Sequence, residues 1–466
     1  MQKAGYQISI AVRSVLCLFY VIFISFFSSS AWGGIHSAPV ILTAQLIRPV
    51  QYHPLAMYRV FRTLPDGTAK AIPFQIDEKD RYGDYILDEG AYPNTKLSNG
   101  IFDFRDELTI MGNDIGIIKT PTKWPFQEPS VLYEVIFKDK EAVPQGAIYI
   151  GAYFSKPPPL DETRYIQFLS KQAEIVTSRY RYRFDHNNYL VVRGIDLYKM
   201  NHQPYPLIDS STLFMRADLK YFLTLDVNQQ DIASELEAYK RGPIRCIARV
   251  NFNYNILKLN FDLGMYTEVS FFPNSVVLPA LIDNPLDGQK ILNRGSLFYY
   301  GFAFKDNPWT LKIDTNMPEY QEKKITDFLK KEKKYESKYW FSAISRDYMI
   351  YVEMEPSVQM LNTGNIPLFY RRNIPAAELA QASDEEDRLP GSGLVNLAMA
   401  MDLTSFNEGL HNVAIQIFIE NRYNENILQS YKDLGLWTSS ARRLSSSTFR
   451  QGNAPESSEK SKSEEK

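Results

Sequence analysis

Residues 179 to 184 read Arg-Tyr-Arg-Tyr-Arg-Phe, and a β-strand is the regular structure that gives this pattern one charged and one aromatic face. The same period recurs downstream. Val250, Phe252 and Tyr254 alternate with Arg249, Asn251 and Asn253, and Leu257, Leu259, Phe261 and Leu263 resume the alternation in shifted phase. A one-residue slip reverses the faces of a strand, so a bulge or tight turn belongs near Asn255-Ile256. Aromatics make up 14% of the 466 residues, a bias that favours strands over helix bundles.

Turn chemistry punctuates the first third of the chain. Pro65-Asp66-Gly67, Asp80 to Asp84 and Asn99-Gly100 separate short strand-like runs between Ile35 and Tyr153. Short strands at that spacing predict a sandwich or barrel. Pro157-Pro158-Pro159 is stiff and lacks amide donors, which makes it a domain boundary. The expected fold class is all-β and mainly antiparallel. It comprises an N-terminal β domain over 35–155 and a larger β-sandwich domain over 160–437, the latter carrying short helical insertions. Three segments read as those insertions. Residues 231–240 place Ile232, Leu236 and Tyr239 at helical spacing, 317–338 form a Lys/Glu-rich amphipathic run, and 375–388 are Ala-rich. In the second, seven lysines interleave with five acids, the signature of a solvated helix face. Residues 438–466, rich in Ser, Lys and Glu, read as a disordered tail whose deletion leaves the fold intact.

The N-terminus carries an export signal. Lys3 and Arg13 precede the apolar run Val15–Phe27, and Ala31-Trp32-Gly33 offers small residues for cleavage. The run is shorter than the about 20 residues of a membrane span, so residues 1–33 read as a cleaved signal peptide with no transmembrane segment remaining. The expected location is a bacterial periplasm or the exterior. Processing would leave Cys246 as the one cysteine, a buried thiol that forms no intrachain disulfide. A formal charge of −2 argues against nucleic acid as a partner.

Nucleophile elbows, zinc-protease helices, phosphate loops and dinucleotide fingerprints are missing from the sequence. Three constellations remain. Arg179, Arg181 and Arg183 form a row that could hold carboxylates or sulfates of an anionic glycan, or pair with acids on neighbouring strands. His186, Tyr189 and His202 are the candidate proton-transfer groups that a polysaccharide lyase would need. Asp80, Asp84, Asp103 and Asp106 sit in acidic turns that could supply oxygen ligands to calcium, although Asp also populates turns for its local hydrogen bonds. No other cofactor is expected.

Ile72-Pro73-Phe74-Gln75-Ile76-Asp77, followed by Phe102-Asp103-Phe104-Arg105-Asp106-Glu107-Leu108 and Asn113-Asp114-Ile115-Gly116, resembles a pattern in exported bacterial β proteins of unassigned function. Some glycan-active β-sandwich enzymes begin with a similar domain. The resemblance implies location and architecture and brings no catalytic residue with it. The resulting expectation is an exported β protein in a non-catalytic binding or envelope-associated role, its ligand a polysaccharide or an envelope protein. A carbohydrate-active enzyme, such as a polysaccharide lyase, is the alternative, and a purely structural exported protein the second.

Overall fold

A computed structural model of the chain describes residues 38–445, except 199–202, 221–222, 229–230, 257–258, 285–286, 294–295, 306–310, 319–335, 337, 357–366, 374–394, 407 and 435–437. It is an all-β, antiparallel-dominated protein. Strands β1 (Pro39–Thr43), β2 (Tyr58–Thr63), β3 (Ala69–Ala71), β4 (Gln75–Asp77), β5 (Glu89–Gly90), β6 (Glu107–Met111), β7 (Val131–Lys138) and β8 (Pro144–Ala152) precede the triple proline. After it come β9 (Ile166–Leu169), β10 (Glu174–Thr177), β11 (Tyr180–Asp185), β12 (Asn188–Tyr198), β13 (Pro204–Leu219), β14 (Leu223–Asn228), β15 (Ile232–Arg241), β16 (Cys246–Ile256) and β17 (Leu259–Phe271). The chain continues through β18 (Ser275–Asn284), β19 (Leu297–Phe304), β20 (Lys312–Thr315), β21 (Tyr339–Ile344), β22 (Met349–Pro356), β23 (Leu368–Asn373), β24 (Val395–Asp402) and β25 (Gly409–Glu420). Helix Glu425–Lys432 and strand β26 (Thr438–Arg443) end the series.

The N-terminal sandwich packs a three-stranded sheet, β1-β6-β4, on a five-stranded one, β26-β7-β8-β2-β3. Leu42, Leu108 and Ile110 from the first meet Val60, Tyr133, Val135, Ile148 and Ile150 from the second in one buried cluster. Alternation explains the match, because every second residue of each strand faces the other sheet. Turn residues hold the connections as their chemistry requires: Gly67 (φ 86°) and Gly100 (φ 69°) occupy left-handed backbone that a Cβ would strain.

The larger unit is one hydrogen-bonded system that the strand pairings close. Two runs of eight strands make up most of it, with β14 paired to β13 and β5 paired to β15. One follows β9-β10-β11-β12-β13-β19-β24-β23. The other follows β15-β16-β17-β18-β25-β22-β21-β20. The runs face each other: the Phe271 ring of β17 lies 5.2 Å from Tyr182 and 5.4 Å from Phe184 of β11. At the junction of the runs, Asn188 pairs with Ser234, and the Ser234 hydroxyl donates to Asn188 Oδ1 at 2.6 Å.

Two expectations need correction. Residues 231–240 are not a helix but strand β15, with a register shift between Leu236 and Ala238. The extra residue of that bulge turns the two-residue strand spacing into three, so Leu236 and Tyr239 both pack on the core and imitate a helical face. The segment from residue 438 is also not wholly a loose tail. Strand β26 pairs with β7 over six residues, Thr438↔Lys138 to Arg443↔Tyr133, and returns the chain to the N-terminal sandwich. Arg442 bonds buried Glu134 and Leu444 is buried beyond the strand. The expected insertions at 317–338 and 375–388 fall mostly and wholly, respectively, outside the described residues. Among the described residues no helix is long and apolar enough to cross a membrane.

Candidate functional site

The arginine row is occupied by carboxylates. Buried Asp196 on β12 takes Arg183 through two bonds, Nη1 to Oδ2 at 2.6 Å and Nη2 to Oδ1 at 2.9 Å. Arg181 lies 3.4 Å from the same oxygen, Oδ2. Gly194, opposite Arg183, leaves space for the guanidinium that any Cβ would fill. Arg179, just before β11, pairs with buried Glu420, to which the Tyr431 hydroxyl also donates. For Arg181 and Arg183 this is the cross-strand ladder geometry, arginines outward, aromatics inward and the acid on adjacent β12, whereas Arg179 pairs with Glu420 of β25, outside the β11–β12 pair.

The candidate proton-transfer groups do not form a cleft among the described residues. His186 is exposed in the β11–β12 turn. Tyr189 packs its ring 5.5 Å from Phe184 of the core, and burial raises its hydroxyl pKa. His202 lies outside the described residues.

The acidic turns are held by their own backbone. Asp80 Oδ1 accepts from the amides of Tyr82 (2.8 Å) and Asp84 (3.1 Å). Asp103 takes the Arg105 amide at 2.9 Å and its guanidinium at 2.8 Å. Asp106 accepts from the amides of Lys79 (2.9 Å) and Asp103 (2.7 Å), yet burial pushes its carboxyl up to about 6. Asp84 acts on the Tyr266 hydroxyl. Among the described residues no group of three or more His, Cys, Asp or Glu is disposed to hold a metal ion.

The strongest electrostatic feature is one the sequence reading missed. Arg245, fully buried before β16, donates from Nε to Asp77 at 2.7 Å and from Nη2 to Glu107 at 2.7 Å. Lys240 reaches the other Asp77 oxygen at 2.8 Å, Lys79 reaches Glu107 at 2.5 Å, and the Tyr85 hydroxyl donates to Glu107 at 2.8 Å. Gln75 donates to Asp77 and accepts from the Ile244 and Arg245 amides at 3.2 and 3.0 Å. Burial alone would raise the Asp77 carboxyl; Arg245 and Lys240 overcome it and hold the group at about 2. Gln75, Asp77 and Glu107 belong to the motif that resembles exported β proteins. Their work here is structural: they fasten the N-terminal sandwich to the larger unit. A charged residue between apolar neighbours, Ile244-Arg245-Cys246-Ile247, was the available signal.

A further feature lies at the surface. Tyr52 is 73% exposed and its backbone sits at φ 73°, a region that costs a bulky residue roughly 1–2 kcal/mol. The strain is enforced by neighbours: the Tyr52 amide donates to the Phe102 carbonyl at 2.9 Å, the Phe102 amide to the His53 carbonyl at 3.1 Å, and Leu55 to Gly100 at 3.0 Å. Next to it the His53 ring lies 5.8 Å from Tyr58 and 5.8 Å from Phe154, the latter 69% exposed. His53 Nε2 is 3.3 Å from the hydroxyl of buried Tyr133. Burial first, and then the positive charge of Arg443, lower the His53 pKa. His53 and exposed Phe154 thus share an aromatic face with the His53–Tyr133 pair beside it, and Tyr52 is exposed next to His53 in the chain.

No family model and no curated protein matches the sequence. Among solved structures, an α-mannosidase from Enterococcus faecalis V583 superposes with a TM-score of 0.40 at 9% identity, covering 89% of this chain and 45% of that one. A protein in glycosyl hydrolase family 38 from Enterococcus faecalis superposes with a TM-score of 0.38 at 9% identity, covering 89% and 46%. The chain thus spans less than half the length of either. Superpositions this loose assign it no residue role and no substrate.

Proposed function

We propose that the chain is a non-catalytic carbohydrate-binding protein whose contact surface is formed by Tyr52, His53 and Phe154. The observation that carries this reading is Tyr52, an aromatic held 73% exposed on strained backbone at φ 73°. Strain of this kind clusters at functional sites, and aromatic side chains offer large, rigid contact area at low conformational cost. A pyranose presents a face of C–H groups, slightly positive, that suits the negative face of an aromatic ring. The export signal read in the sequence would place this binding in the periplasm or outside the cell.

Retention in gels containing polysaccharide tests the reading. Tyr52→Ala/Phe154→Ala should abolish retention while leaving the melting temperature nearly unchanged, because both side chains are mostly in water. Undiminished retention of the double variant would overturn it.

A further inference from the structure

We infer that this surface selects acidic sugars, and that the selecting group, Arg443, is delivered by the C-terminal strand. The inference rests on the carbohydrate-binding reading above and adds the ligand's charge to it. Strand alternation separates the two arginines that end β26. Arg442 stands opposite Glu134 and bonds that buried carboxylate at 2.6 Å. Arg443 stands opposite Tyr133, so it projects from the other face of the sheet, where the Tyr133 hydroxyl meets His53. Its charge acts on both: it lowers the pKa of His53 and counters the rise that burial imposes on Tyr133.

Arg443 is exposed, and among the described residues it makes no ion pair. That contrasts with neighbouring Arg442, which is tied to Glu134. Arg443 therefore stands opposite Tyr133, whose hydroxyl meets His53, with its donors available. A uronate ring stacked on Phe154 or Tyr52 could present its carboxylate to that planar fork, a match for bidentate bonding that an ammonium lacks. His53 and Tyr133 would add a polar contact at the ring's hydroxyl edge. The charge is complementary to a carboxylated chain, and the partner proposed is a polyuronate.

The test compares retention on a polyuronate and on the same polymer after carboxyl reduction, at low and moderate salt. Wild type should bind the polyuronate about tenfold more tightly than the reduced polymer, and salt should narrow the difference. Arg443→Gln should erase the preference while keeping the weaker retention on the reduced polymer. Arg443→Lys should restore part of it. Arg193→Gln, a charge-matched change on β12 of the larger unit, should leave the preference intact. A preference that survives Arg443→Gln overturns the inference and leaves the stacking surface standing if Tyr52→Ala/Phe154→Ala still loses both polymers. Retention of wild type on neither polymer overturns the binding reading and the inference together.

Discussion

Removing one carboxylate from the buried network should cost more than any surface change on this protein. Asp77→Ala deletes the partner that Arg245 meets at 2.7 Å and Lys240 at 2.8 Å, in a place where Arg245 has no solvent to turn to. Breaking a buried pair by removing one member costs about 3–5 kcal/mol, because the remaining charge loses its compensation. The depressed carboxyl pKa gives a second, lower figure. Asp77 is held at about 2 against an ordinary value of 3.8, and at 1.36 kcal/mol per pKa unit that difference contributes roughly 2–3 kcal/mol at neutral pH. A folded pKa below the unfolded one gives stability that is present above about pH 4 and lost as pH falls toward 2. Urea unfolding at a series of pH values reads both. The gap between wild type and Asp77→Ala should be several kcal/mol at pH 7 and should shrink steadily between pH 5 and pH 2. A gap below about 1 kcal/mol at pH 7, or one that does not change with pH, would refute the network's role.

Truncation before Thr438 should lower the melting temperature by several degrees, since it removes the strand on β7, the partner of buried Glu134, and buried Leu444; an unchanged transition would show that the strand is not docked. The Cys246 thiol, which burial pushes up to about 12, should resist a thiol reagent in native protein and react on unfolding; rapid labelling of folded protein would contradict that environment. Asp106 works against Asp77. Its carboxyl is raised to about 6, so its contribution is fully present below about pH 4 and lost as pH rises through 6. Asp106→Asn should flatten the stability profile between pH 4 and pH 6, and an unaltered slope there would show the group is not buried as described.

The strands that alternate cleanly were legible as such. Arg179 to Phe184 reads as one strand with its aromatics inward, and the phase change near Asn255 corresponds to a register shift between Phe252 and Tyr254 and the closing pair Ile256↔Leu259. What periodicity could not reveal is a bulge: at Leu236 and Tyr239 one inserted residue produces helical spacing in a strand. Composition failed at β26 for a different reason. Its sequence, Thr-Ser-Ser-Ala-Arg-Arg, buries almost nothing apolar, and its attachment comes from backbone pairing and from Glu134, far away in the chain. The aromatic surface was invisible for a third reason. Nothing in Tyr52-His53-Pro54 announces a positive φ, and the contacts that fix it come from residues 100 to 102. Long-range pairing also sets Arg443 opposite Tyr133, whose hydroxyl meets His53, which local pattern reading has no means to foresee.

The central claim, binding without catalysis at the Tyr52–Phe154 surface, is tested most directly by one measurement. Purified protein is incubated with a polyuronate of defined length, and complex and polymer mass are followed together by light scattering after size separation. Wild type should form a saturable complex with polymer length unchanged over long incubation, and Tyr52→Ala/Phe154→Ala should form none. Progressive shortening of the polymer by wild type, or a complex that persists undiminished in the double variant, would contradict it.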